Sequence, residues 1–166
     1  TTFVVQPPCC GTELGVELWA LGGPGVVVNR FGSHLLSVES DGIRWIHCGD
    51  IRGQASAEDA YGESQSAFQQ MRDQLALAGT RFDQVMRTWI YVNQITEGRD
   101  GRQRYQELNR ARSDFYGDIR FGSRLRAAWA PEIIYPASTG IGTGGAAVTM
   151  ACLALGTTRP DVFVLP

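Results

Sequence analysis

Alternation of apolar and polar positions dominates the first third of the chain. Val26 to Asn29, His34 to Val38 and Ile43 to Gly49 are short β-type runs separated by glycine-containing turns, the last being Ser40-Asp41-Gly42. They predict a meander of strands. Ahead of them, residues 1–22 hold a Pro pair and an alternating VELWAL run, which read as an irregular arm leading into a strand; Gly22-Gly23-Pro24-Gly25 then turns the chain. The period next lengthens from two to 3.6. Ala60, Ser64, Ala67, Phe68, Met71, Leu75 and Ala78 recur at helical intervals behind Ser56 and Asp59, which stand at capping-box spacing, and Gly79 is placed to end the helix.

Period two returns over 85–92, setting Arg87, Trp89 and Tyr91 on one face of a strand and Met86, Ile90 and Val92 on the other. Tyr105, Leu108, Arg112 and Phe115 mark a second amphipathic helix over about 102–116, and 146–155 reads as a closing, largely buried strand. Strands, helix, strand, helix, strand in one chain predict an α+β layer, a sheet with two helices on one face.

With 166 residues and 43% apolar content, the chain fits a single compact domain. All 15 positive side chains are Arg, so Schiff-base chemistry, a pyridoxal anchor and a Walker Lys are excluded. A net charge of -2 without any basic run argues against nucleic acid as a partner. No apolar stretch approaches the ~18 residues a bilayer span requires. Cys9, Cys10, Cys48 and Cys152 lack zinc-type spacing, so no metal is expected, and a reducing cytoplasm is the simplest home. No dinucleotide fingerprint or nucleotide phosphate loop is present, so no cofactor is indicated.

Four blocks taken in order, IRWIHCGDI at 43–51, QLALAGTRFDQV at 74–85, RTWIYVNQI at 87–95 and RYQELNRARSDFYGD at 104–118, resemble the YjgF/RidA family. The resemblance covers about 35–155. It implies a chorismate-mutase-like fold, a homotrimer and active sites in clefts between subunits, with 1–34 as an N-terminal arm and extra strands and 35–166 as the RidA-like domain. RTWIY, RYQELNRAR and YPASTGIGTGG at 135–145 more narrowly resemble the first of the two RidA-like halves of the chorismatases, which remove pyruvate from chorismate. Two departures stand out. The family's carboxylate-holding Arg, in a proline-alanine-arginine-serine stretch, gives way to Ser138 in Pro136-Ala137-Ser138-Thr139, and the last strand, Val148 to Cys152, has Thr149 and no acid where the family keeps a Glu.

Arg87, Trp89 and Tyr91 would suit a carboxylated ring, offering a fork of donors, aromatic surface and a phenol; the same face could equally meet a neighbouring subunit. Ser138, Thr139 and Gly140 open a glycine-rich stretch that reads either as an anion cradle or as a flexible turn between strands. His47 and Cys48 point to opposite faces of a strand, which removes a Cys–His pair, although Cys48 aligns beside a glycine lining the RidA pocket. His34 falls near a pocket Tyr of that family and is a candidate for acid–base work. Tyr105 lies on the apolar face of its helix and reads as core or as a ligand contact. Arg124 and Arg126 share a face if extended, and Glu132 is the sole acid between Asp118 and Asp161 and so the nearby replacement for the missing Glu.

Together these residues point to a small-molecule enzyme of specialised metabolism, acting by hydrolysis, elimination or tautomerisation on a carboxylated cyclic, enamine or imine intermediate. Arg87 would hold the carboxylate, Tyr91 would position or protonate, and the backbone of Ser138 to Gly140 would stabilise negative charge. Two other readings stand beside it: a non-catalytic trimer that binds a metabolite or partner enzyme, and one half of a two-domain chorismatase.

Overall fold

The computed structural model describes residues 1–5, 11, 14–54, 59–99, 101–121, 128–129, 132–145 and 147–164. Their elements run β1 (Val27–Arg30), β2 (Leu35–Ser40), β3 (Ile43–Arg52), α1 (Ala60–Leu77), β4 (Val85–Asn93), β5 (Gly98–Arg99), β6 (Arg102–Gln103), α2 (Arg104–Gly117), β7 (Ala137–Thr143) and β8 (Thr149–Thr157). Six strands form one mixed sheet in the order β1-β2-β3-β8-β4-β7, while β5 and β6 make a small separate hairpin. All neighbours in the large sheet are antiparallel except β4 and β7.

Both helices cover one face of the sheet. Phe68, Met71 and Leu75 of α1 and Leu108 and Phe115 of α2 are buried in one cluster with Ile46, Cys48, Ile90, Val92 and Met150 from the strands. Phe68 stacks on Phe115 at 5.1 Å between ring centroids, and Phe82 meets Phe115 edge-on at 4.9 Å, so aromatic contacts clamp α1 to α2. Burying each such ring is worth roughly 1.5–3 kcal/mol.

The helix predicted behind Ser56 starts later. Asp59 is the N-cap, its carboxylate accepting from Gly62 N at 2.8 Å, and Ser56 lies outside the described residues. Gly79, at φ +64, takes the left-handed turn that ends the helix. Two sequence expectations need correction. The VELWAL run belongs to no strand: it makes no ladder, and Glu17, Trp19, Ala20 and Leu21 line a cavity over the sheet's open face while Val16 and Leu18 are exposed. The stretch from Ser138 reads by composition as a cradle or turn but forms edge strand β7, parallel to β4. Its glycines fit close neighbours: a Cβ on Gly142 would lie 2.8 Å from Ile95 Cγ2, and one on Gly140 would lie 3.2 Å from Tyr105. No described helix is long and apolar enough to cross a membrane.

Candidate functional site

The sheet face turned away from the helices carries the site. In β4 the period of two holds from Arg87 onward: Thr88, Ile90 and Val92 are buried towards the helices, whereas Arg87, Trp89 and Tyr91 sit half-buried on the open face; before it the register shifts, and Val85 is buried in place of the expected Met86. In β3 the same alternation sends Ile46 and Cys48 to the core and Trp45 and His47 to the open face. Register aligns Trp89 with Ala151 of β8 and with Thr139 of β7, making one row across the sheet.

Over this face the N-terminal arm lines one side of an open cavity of about 390 Å³. Three indoles, Trp19, Trp45 and Trp89, line it together with Arg30, His34 and His47. Its volume is near the small end of the ~300–1,000 Å³ typical of ligand sites, room for about one ring and its substituents. Trp19 is anchored by Nε1–H donating to Glu17 Oε1 at 2.9 Å and meets His47 edge-on at 6.2 Å between centroids. Burial lowers the pKa of His47, keeping its imidazole neutral. Burial likewise raises the Tyr91 phenol, and the nearby Glu17 carboxylate raises it further.

The expected site residues separate into groups. Trp89 lines the cavity wall; Cys48 borders it from the strand, but its side chain is buried in the helix-side core, in register with Cys152. Arg87 and Tyr91 share the open face. Arg87 Nη2 donates to Thr139 Oγ1 at 2.9 Å, and its guanidinium lies 5.1 Å from the centre of the Trp89 ring, so it braces that indole from outside the cavity lining. Ser138 belongs to the opposite, helix side, where Thr88 Oγ1 donates to its hydroxyl at 3.0 Å. Gly140 and the exposed Tyr105 face each other there, so the helix face bearing Tyr105 is not core at that position. Glu132 is exposed and outside the cavity lining. Cys9, Cys10, Arg124 and Arg126 lie outside the described residues.

Sequence reasoning missed Trp19, Glu17, Arg30 and Trp45. The alternation within IRWIHCG already put Trp45 and His47 on one face; nothing local revealed that the arm folds back to add Trp19 and Glu17. Among the described residues lining the cavity, Glu17 is the acid. Also among the described residues, no group of three or more His, Cys, Asp or Glu is placed to hold a metal ion.

The family model described as "Chorismatase FkbO/Hyg5-like, N-terminal" matches residues 17–154. The chain belongs to this family. A search of curated proteins finds no match. Solved structures share the fold of this FkbO/Hyg5-like N-terminal domain at low identity. A protein of unknown function from Pseudomonas aeruginosa is 17% identical, with a TM-score of 0.55 over 85% of this chain and 98% of its own. A YjgF-family protein from Neisseria meningitidis is 17% identical, also with a TM-score of 0.55, over 80% and 98%. A member of the YjgF/YER057c/UK114 family from Mycobacterium tuberculosis is 18% identical, with a TM-score of 0.50, over 71% and 82%. The FkbO/Hyg5-like domain thus has the YjgF/RidA-like fold, a mixed six-stranded sheet with two helices.

Proposed function

We propose that this FkbO/Hyg5-like domain binds a small carboxylated ring in the arm-lined cavity and catalyses a hydrolysis, elimination or tautomerisation on it, with chorismate-like, enamine or imine compounds as the substrate class. The observation that carries this reading is the meeting of Trp19, Trp45 and Trp89 with Arg30, His34 and His47 around one cavity. Indole faces suit a planar or half-planar ring, and a guanidinium suits its carboxylate. Arg30 lines the wall, and Arg87 packs against the Trp89 ring. Tyr91 remains the positioning phenol, and Glu17, beside it in electrostatic reach, replaces Glu132 as the proposed acid. Three copies meeting on the open face, the arrangement the family resemblance implies, would enclose the remaining side of the site.

The neighbours of Ser138 give it a different role from the one its sequence suggests. Its hydroxyl is tied to Thr88 and its backbone to the β4 ladder, so charge stabilisation is assigned to Arg30 and Arg87 instead of the backbone from Ser138 to Gly140. A second reading, a trimer that binds its ligand without turnover, draws support from Glu17, whose carboxylate is engaged by Trp19.

The test is incubation of the wild-type protein with chorismate and with an imine generated from an amino acid, alongside Arg30→Ala and Arg87→Ala. Loss of one charge-assisted contact, worth about 1.5–3 kcal/mol, lowers affinity roughly 10- to 100-fold. Turnover that disappears in Arg87→Ala or Arg30→Ala supports the enzyme. Ligand-induced thermal stabilisation without turnover supports the binder, and neither effect with any carboxylate defeats both. A second RidA-like half in a longer reading frame would point to the two-domain chorismatase.

A further inference from the structure

We infer that His34 is the proton acceptor of this cavity, its Nε2 lone pair held available because the Nδ1–H is committed to the carbonyl of Gly49 at a bulge in β3. The inference rests on the functional reading above for its ligand, and on the strand geometry for the residue.

β3 and β8 pair regularly from Ile43 opposite Thr157 to Cys48 opposite Cys152; the next aligned pair is Ile51 with Met150. Gly49 and Asp50 therefore stand against the single residue Ala151, and Asp50 adopts a left-handed φ of +55. Such a bulge takes backbone groups out of the ladder, and here the cavity's own walls use them. His34 Nδ1 lies 3.1 Å from Gly49 O, and Asp50 N donates to Thr2 Oγ1 of the arm at 3.0 Å. Gly49 N also donates to His34 O at 2.9 Å, so residues 34 and 49 are locked by two hydrogen bonds.

A carbonyl can only accept, so the ring nitrogen facing it must carry the proton. In a neutral imidazole the other nitrogen, Nε2, is then a base. His34 lines the cavity, and Ala151 opposite the bulge pairs with Trp89, so base, floor and indole fall in one row across the sheet. His47 lacks this preparation: among the described residues its ring makes an edge contact with Trp19 and no hydrogen bond. In the proton-transfer step, a C–H bond next to the ligand's carbonyl or protonated imine carbon breaks and its electron pair stays on the ligand, as an enolate from the carbonyl or an enamine from the protonated imine. One N–H bond forms at Nε2. The imidazolium produced keeps Nδ1–H on the Gly49 carbonyl, and returning the proton to another ligand atom completes a tautomerisation with no added reactant.

Long-range proton–nitrogen NMR of the intact protein reads the tautomer directly. The expected result is His34 protonated at Nδ1 with Nε2 bare; an Nε2–H tautomer in the free protein overturns the inference. Phenylpyruvate, a carboxylated ring with an exchangeable C–H, then serves as the probe. Wild-type protein should speed its exchange with D2O and shift the His34 Nε2 resonance, while His34→Gln binds within about threefold of wild type yet slows exchange roughly 100-fold or more. His34→Gln exchanging at the wild-type rate overturns the assignment while leaving the ligand site standing. A wild-type protein that binds neither phenylpyruvate nor chorismate instead removes the functional reading, and the catalytic role of His34 with it.

Discussion

The Glu63 carboxylate and the Arg104 guanidinium meet at 2.8 Å with only 1% and 11% of their side chains exposed. Glu63 Oε2 also accepts from Val148 N at 3.3 Å, and Arg104 Nε donates to Asn93 O at 2.8 Å. The pair joins α1, the start of α2, the end of β4 and the approach to β8, strands that contribute Trp89, Ala151 and Cys152 to the cavity lining. Burial raises the Glu63 pKa despite the opposing pull of Arg104, which shows how far the carboxylate is desolvated.

Removing Arg104 leaves the buried Glu63 carboxylate without its guanidinium, and removing Glu63 takes that carboxylate from Arg104. Glu63→Ala and Arg104→Ala should each cost about 3–5 kcal/mol, and the double variant clearly less than their sum. Denaturant unfolding of the four proteins at neutral pH measures the coupling. Strict additivity would mean that the two side chains stabilise the fold independently.

Gly49 offers a probe of the arm. A Cβ there would lie 2.7 Å from Thr2 Oγ1, the atom that receives the Asp50 N–H. Gly49→Ala is expected to push Thr2 away and loosen the arm while leaving the helix-side core untouched. Faster protease cleavage beside Thr2 would accompany a change in global stability of about 1 kcal/mol or less. An arm as protected as in wild type would show that Thr2 is not what holds it.

The elements with a buried face were legible because their periodicity is a direct consequence of which side meets the core. α1 and β4 came out nearly to the residue, and Arg87, Trp89 and Tyr91 fell on one face as their alternation required. Segments whose conformation depends on distant partners were not legible. β7 is a strand because β4 accepts it in parallel, and its glycines answer to Ile95 and Tyr105, so composition alone suggested a turn. The arm's alternation suggested a strand, yet it makes no ladder and lines the cavity. The same blindness hid Glu17, 115 positions before the favoured Glu132: scarcity of acids in one segment says nothing about a carboxylate delivered by another.

His47 makes stability depend on pH with a definite sign. Burial lowers its folded-state pKa from the ordinary 6.5, so the folded protein holds a neutral ring. Above 6.5 the ring is neutral in both states and imposes no penalty. As pH falls below that value the unfolded chain takes up the proton first, and stability is lost progressively down to the lowered folded-state pKa. Glu63 acts in the opposite direction, since its raised pKa means the folded state is protonated first as pH falls. The contribution of His47 is therefore read as a difference between wild type and His47→Gln, not as an absolute slope. Thermal unfolding midpoints followed from pH 8 to pH 5 should run parallel above about 7 and draw apart below 6.5, the variant falling less steeply. Parallel curves across the whole range would mean that the ring under Trp19 takes up its proton as easily folded as unfolded, and that the cavity wall is wetter than its aromatic lining implies.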